Sequence, residues 1–375
     1  MKLIQYPSVR ALALSATALS LGLSAPAFAQ ETADETTGGI TEIVVTAQKV
    51  AENVQDVPIS ITAITADRLE STGVTSLEGL TQLVPSVTFR KGTTSANSAI
   101  VMRGVGTITF SVAAEPSVST VVDGIVLSRS GQAFMDLVDA ERLEVLRGPQ
   151  GTLFGKNASA GLVNIISKGG TDTLQAEARA EFFEGEEYRL RASLSGPLAE
   201  GLTGRVTGFY GSYDGNITNI NGGRRNKING YEHYGARVIL DYDSGGSRFR
   251  FIADYFEADD DCCADVTGVS RGAVLDRELG LPGGVVRGVN QRFVNHNLVT
   301  QTRDKQWSLT ASGDFDVLTD HVLSVVAGYR NWENIEIREG DFLPRAIVGT
   351  GELHDNGAVR TEQLSLEMRL ASDQS

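Results

Sequence analysis

Cysteine is nearly missing from these 375 residues: there are 2, beside 4 histidines and 4 methionines, too few for a metal-cluster protein. Proline is sparse too, 9 against 41 glycines, a balance that suits many strands joined by tight turns. Positive charge falls short of negative, with 33 Lys and Arg against 47 Asp and Glu, which argues against a nucleic-acid partner. Past residue 30 no apolar run approaches the roughly 20 residues that a spanning helix needs. A membrane-spanning structure built from this chain would therefore have to be a closed sheet of strands. The length allows two or three domains.

The first segment is the exception to that polarity. Lys2 and Arg10 lead into an apolar stretch from Ala11 to Ala25, closed by Ala27-Phe28-Ala29 and then Gln30. A basic start, a short apolar centre and small residues at minus three and minus one mark a cleavable export signal over residues 1–29. An uncleaved N-terminal anchor is the alternative reading. Residues 30–39 are small and polar, with Glu31, Asp34 and Glu35, and bury too little to order themselves. Then Glu42, Ile43, Val44, Val45, Thr46 and Ala47 form a strand-forming run on this loose lead. Such a run is suited to adding itself to the edge of another protein's sheet; it reads equally as the first strand of the next domain.

From Asn53 to Gly170 the pattern is mixed α/β. Val57 to Ile64 predicts a strand, and Thr65 to Ser71 a short helix closed by Gly73. Thr75 and Glu78 have capping-box spacing ahead of Leu77, Leu80 and Leu83, and that helix must stop before Pro85. Val118 to Val122, Asp123-Gly124 and Ile125 to Leu127 spell a hairpin, and Leu143 to Leu146 a further strand.

The densest signal is the run from Glu141 to Gly155, ERLEVLRGPQGTLFG, continuing as KNASAGLVNIISK to Lys168. It closely resembles the most specific segment of the plug domain of TonB-dependent outer-membrane receptors. Val101-Met102-Arg103-Gly104 and Val122-Asp123-Gly124 match other plug signatures in the right order, and EIVVTAQK, residues 42–49, looks like the TonB box. The resemblance covers the signal, the box and the whole plug. It implies that residues 42–47 pair with the periplasmic energy transducer TonB, which works with the inner-membrane ExbB and ExbD. It also implies that Arg103 and Arg147 face barrel-wall carboxylates and lock the plug in place. From the residues alone, both arginines read as well as solvated surface groups. Two look-alikes fail: Gln150 and Asn157 break a phosphate-loop pattern, and Asn157-Ala158-Ser159 is a glycosylation sequon by spelling only.

From Gln175 the period becomes two. Trp307, Leu309, Ala311, Gly313, Phe315 and Val317 alternate with polar neighbours, and Leu364, Leu366, Met368 and Leu370 do the same. About eight strands follow, near 175–184, 187–196, 202–213, 233–243, 247–257, 304–316, 321–332 and 361–371. Links at 197–201, 244–246 and 318–320 are short, while those at 214–232, 258–303 and 333–360 are long. Short inside and long outside is the outer-membrane asymmetry, although a soluble sandwich shares the alternation.

The expected fold is thus an α+β plug followed by antiparallel transmembrane β-barrel strands. Its divisions are residues 1–29, 30–52, 53–170 and 171–375. A plug of this size has a radius of gyration of about 13 Å and cannot sit inside eight strands, which enclose only side chains. The family barrel has about 22 strands, so the expectation is a partial barrel, a fragment short of about 14.

Little else carries chemistry. Adjacent Cys262 and Cys263 follow Asp259-Asp260-Asp261; a bond between them would be strained, and a partner elsewhere is the alternative. His233, His296, His321 and His354 lack metal-ligand spacing, and no nucleophile–base set is visible, so neither a metal, a cofactor nor an enzyme is expected. The expected function is TonB-dependent uptake of a small-molecule ligand through outer-membrane lipid, an iron–siderophore complex by family default. Alternatives are a non-energised binding protein or adhesin, or uptake of an oligosaccharide, cobalamin or aromatic compound.

Overall fold

Alternating buried and exposed positions dominate the second half of the chain, while the first half is a small two-sided sheet. The computed structural model describes residues 43–375 except 91, 93–94, 108–110, 112–113, 135, 222–226, 262–265, 267–278, 282–289, 319, 345–352 and 373–375. The expected signal, Glu42 of the box, and both cysteines lie outside the described residues. Ile43–Ser375 is one compact unit.

The N-terminal region begins with β1 (Val44–Val45) and β2 (Glu52–Asn53), then β3 (Ile61–Thr65), α1 (Ala66–Thr72) and a 3-10 turn at Leu77–Gln82. Next come β4 (Val87–Arg90), β5 (Ala99–Met102), β6 (Val118–Val122), β7 (Ile125–Val126), β8 (Ala140–Arg147), α2 (Gly151–Phe154) and β9 (Gly161–Ser167). Five of these strands form a sheet in the order β3-β8-β9-β6-β7. Its β6–β9 pair is parallel, so the sheet is mixed. The hairpin β6–β7 turns through Asp123 and Gly124 at φ 48° and 85°, the left-handed pair that a two-residue turn demands.

Strand periodicity gives this sheet two apolar faces. Leu143, Val145 and Val163 pack with Leu77, Leu80, Val84 and Val87 on one face, all fully buried. Leu146 and Leu162 face the other way and meet Val45, Ala47, Val121 and Phe154. Each such side chain contributes about 1.5–3 kcal/mol of burial.

Two expectations need correction. The predicted strand from Val57 starts only at Ile61, where pairing with β8 begins. The capping box does not form: the turn over Leu77–Gln82 starts from Ser76 with no side-chain cap. Thr75 Oγ1 instead accepts a hydrogen bond from Arg189 of the wall at 3.0 Å, so a tertiary partner has taken the cap.

The second region is an eight-stranded antiparallel sheet. In sequence order its strands are β10 (Gln175–Phe183), β11 (Glu187–Ala199), β12 (Leu202–Tyr213), β15 (Tyr231–Asp243), β16 (Ser247–Asp260), β18 (Gln301–Leu318), β19 (His321–Glu339) and β20 (His354–Ser372). Between them β13 (Ile217–Asn219), β14 (Lys227–Ile228) and β17 (Phe293–Val294) tie two of the long links into one small sheet. Along β18, Thr302, Asp304, Gln306, Ser308 and Thr310 are buried against the plug side, while Arg303, Lys305, Trp307 and Leu309 are exposed. Exposed Leu190, Val206, Val238, Leu309, Leu364, Leu366 and Met368 make the outer face an apolar band, with Tyr234, Trp307 and Tyr242 among its aromatics. That is the face a lipid bilayer covers.

Candidate functional site: the plug–wall joint and the docked box

The ends of β8 and β9 converge on one part of the wall. Asp139, at φ 62° just before β8, is 3 % exposed and accepts from Arg205 Nε at 2.5 Å and Nη2 at 2.7 Å. Thr207 Oγ1 donates to the same carboxylate at 2.6 Å. Burial alone would raise the Asp139 pKa, but the hydrogen bonds from Arg205 and Thr207 and the Arg205 charge outweigh it and hold the carboxyl below its ordinary value. Arg237 donates to the Val138 carbonyl at 2.9 Å and Ser167 Oγ at 2.7 Å while pairing with Asp254 of the wall. Arg250 reaches the Ser167 carbonyl, and Gln363 of β20 donates to the Val126 carbonyl at 2.7 Å.

Nearer the long links, His233 bridges the two regions, with Nδ1 2.8 Å from Asp136 of the plug and Nε2 2.7 Å from Asp260 of the wall. Both ring nitrogens face carboxylate oxygens, so both donate and the imidazole carries a positive charge. Ser95 donates to Asp304 of β18 at 2.6 Å. Shape supports charge here: a Cβ on Gly131 would stand 2.9 Å from the Trp332 ring of β19.

Arg103 and Arg147, expected to face wall carboxylates, instead meet hydroxyls within the plug. Arg103 Nη2 donates to Ser60 Oγ at 3.2 Å. Arg147 donates to Ser86 Oγ at 2.8 Å, to Ser60 Oγ and to Thr62 Oγ1. Burial, then the nearby Arg103 charge, lower the Arg147 pKa. Among the described residues neither arginine forms an ion pair. The polarity of this part of the joint is therefore the reverse of the expected one: the plug supplies acids and the wall supplies arginines.

Of the two readings of the box, an exposed tethered strand or the first strand of the next domain, the described residues 43–47 take the second, docked on the plug. Val44 and Val45 pair with Asn53 and Glu52, and Val45 and Ala47 are fully buried in the second core. Thr46 donates its N–H at 2.8 Å and its hydroxyl at 3.2 Å to Glu144 Oε1. Glu144 is fully buried and also accepts from Arg142 Nε at 2.9 Å and Asn164 Nδ2 at 3.1 Å. Period two explains its place: Glu144 shares a sheet face with Leu146, where β1 docks. Just beyond, Lys49 pairs with Glu367 of β20 and stacks over Phe154 at 5.1 Å.

Sequence reading missed Asp136, Asp139, Glu144, His233, Arg205 and Arg237. The only trace of the wall arginines was their parity: Arg205 alternates with Val206, and Arg237 with Val238, so both point inward.

A mixed α+β plug riveted to the inner face of a lipid-facing antiparallel sheet defines a plugged outer-membrane barrel protein. Residues 53–162 match the model of the TonB-dependent receptor plug domain, so the chain carries that domain. It is 32 % identical over 162 residues to the pesticin receptor of Yersinia pestis, covering 43 % of this chain and 24 % of that protein. With the ferrienterobactin receptor of Escherichia coli it shares 30 % identity over 225 residues, 55 % of this chain and 30 % of the relative. The chain thus spans about a quarter to a third of the curated relatives it matches. In fold it resembles the crystal structure of the ferric yersiniabactin uptake receptor of Yersinia pestis, with a TM-score of 0.69 at 24 % identity. That likeness covers 84 % of this chain and 46 % of the other.

Proposed function

We propose that this chain is the gate-bearing part of a receptor for TonB-driven uptake of an iron–siderophore complex across the outer membrane. The observation that carries the reading is the docked box: a short strand-forming segment held at the plug's N-terminal edge by one buried carboxylate, Glu144. Iron chelates are favoured by the names of relatives, a ferrienterobactin receptor and a ferric yersiniabactin uptake receptor.

In this reading residues 1–29 direct export and are removed, 30–52 carry the box, 53–170 are the plug and 171–375 belong to the barrel. TonB, energised by ExbB and ExbD, captures Glu42, Ile43, Val44, Val45, Thr46 and Ala47 by strand addition. For that to happen Thr46 must leave Glu144 and Val45 must leave its apolar pocket. Pulling then loosens the plug and a ligand bound at the outer links passes. Arg103 and Arg147 meet plug hydroxyls among the described residues, and in this reading they would act as the plug's side of a lock by engaging carboxylates of the barrel wall.

Deleting residues 42–49 tests the coupling. Binding of a labelled ferric siderophore to cells should persist while uptake falls to the level of a strain lacking TonB. Uptake that continues without the box sinks the reading. Growth of a strain lacking the receptor, with a panel of iron chelates under iron limitation, tests the substrate.

A further inference from the structure

On the inner face of the wall, β18 and β19 place four oxygen-bearing side chains in a block. Thr302 lies directly across from Glu336, and Asp304 across from Asn334. All four are more than nine-tenths buried, at 2 %, 7 %, 7 % and 0 % exposure respectively for Thr302, Glu336, Asp304 and Asn334. Cross-strand neighbours have Cβ atoms about 4.5–5.5 Å apart, so the two pairs stand side by side on this face, with the Glu336 carboxylate leaning over Gly357 of β20.

The block is rich in acceptors and poor in positive charge. Asp304 Oδ1 accepts from Trp332 Nε1 and Asn334 Nδ2, both at 2.9 Å, and Oδ2 accepts from Ser95 of the plug. These donors are neutral. Asn334 Nδ2 also donates to Ser95 Oγ at 3.0 Å, which fixes the amide and leaves Oδ1 buried with no protein partner. Thr302 Oγ1 and Glu336 Oε2 are likewise buried and unpartnered. Among the described residues no Lys, Arg or His forms an ion pair with Asp304 or Glu336. The neighbouring cations on β18, Arg303 and Lys305, lie on the opposite face. Thr302 and Asp304 open onto a cavity of about 490 Å³ between plug and wall, which gives a solvated ion a way in.

Two buried carboxylates without a counter-charge are costly, and the shortfall is met by a bound cation or by protonation. Carboxylate, amide and hydroxyl oxygens together are the donor set of a hard divalent ion, and water from the cavity would complete a shell of six to eight oxygens. We infer that Thr302, Asp304, Asn334 and Glu336 form a binding site for a divalent cation of the calcium type. Trp332 and Ser95 orient the Asp304 ligand, so the ion ties the plug's 95–97 turn to the wall. The inference is independent of the transport reading.

The test is calorimetric titration of CaCl2 into the chelator-treated receptor in detergent, with thermal unfolding followed in parallel. The unaltered protein should bind calcium and unfold at a higher temperature with it. Glu336→Gln, which preserves shape, should weaken binding at least tenfold, and Thr302→Ala should weaken it less. No calcium-dependent heat or Tm shift in the unaltered receptor, which needs no variant to fold, overturns the site. Undiminished binding by Glu336→Gln places the ion elsewhere and overturns it equally. Uptake assays are not the readout, so failure here leaves the transport proposal untouched.

Discussion

Two of the joints that hold the plug to the wall are of opposite build. At the β8–β9 end, Asp139 and Arg205 form a bidentate pair, each side chain 3 % exposed, reinforced by Thr207, Arg237 and Arg250. At the N-terminal end a two-residue strand pair, one buried acceptor and the Lys49–Glu367 pair hold the box, and Glu367 is 43 % exposed. A buried pair is costly to break and an exposed one is nearly free. The difference teaches where the molecule would yield: a force applied at residues 43–47 meets its weakest resistance first, while the far end of the sheet stays on the wall.

The largest effect comes from breaking the strong joint. Asp139→Ala leaves the buried Arg205 with only the long 3.6 Å contact to the exposed Glu177 and should cost about 3–5 kcal/mol of plug docking. Limited proteolysis of the receptor in micelles should then cut at the β8–β9 end, which resists in the unaltered protein. Unchanged protection would show that the two joints are equal after all. The same carboxyl has a pH signature. Its folded pKa lies below the ordinary 3.8, so its stabilisation is complete above that value and is lost only as pH falls below it.

The long links should yield to acid earlier. His296, in the link before β18, is buried against Phe342, and burial lowers its pKa from 6.5 to about 4, with Asp341 opposing weakly. A depressed histidine costs nothing above its unfolded pKa; the penalty grows as pH falls from 6.5 towards 4 and reaches up to about 3 kcal/mol there. Hydrogen exchange should show residues 291–300 opening across that window while residues 139–147 remain protected. His296→Asn should flatten the response, and simultaneous opening of both regions would contradict it.

How much of this was visible beforehand differs by region for a physical reason. All eight wall strands were legible because one lipid-facing and one plug-facing side impose strict alternation. Their outer ends were not: β18 starts at Gln301 and β19 runs on to Glu339. Above Trp307 the outward positions include Lys305, Arg303, Glu333 and Arg360, with Ile335 the exposed apolar exception, so the apolar signal weakens while backbone pairing continues. The plug was legible through its glycine-rich run and its resemblance to a family. The joint was not, since Asp139 and Arg205 are 66 residues apart and nothing local links them. The box was half legible, because propensity revealed the strand but not that Glu144 receives it.

Glu144→Ala probes the weak joint directly. Thr46, Arg142 and Asn164 would all lose an acceptor, an effect of about 1–3 kcal/mol. The expected result is a freed box with an intact plug: spin labels at Val44 should sharpen while the β8–β9 end keeps its protease resistance. A plug that unfolds as a whole would show that the box is part of its core rather than a latch on it.

The smallest effect separates the latch from its neighbour. Lys49 belongs to the box but pairs with Glu367, on the last described strand of the wall. Glu367 is partly solvated, so Lys49→Gln should cost only about 0–1 kcal/mol, less at high salt. Most of the Lys49 stem and its contact with Phe154 would persist in part through the glutamine. Spin labels at Val44 should therefore report a box that remains docked in Lys49→Gln, in contrast to Glu144→Ala. If instead Lys49→Gln frees the box as fully as Glu144→Ala does, the controlling contact is the one to the wall, and release would be governed by barrel movement rather than by the plug's own carboxylate.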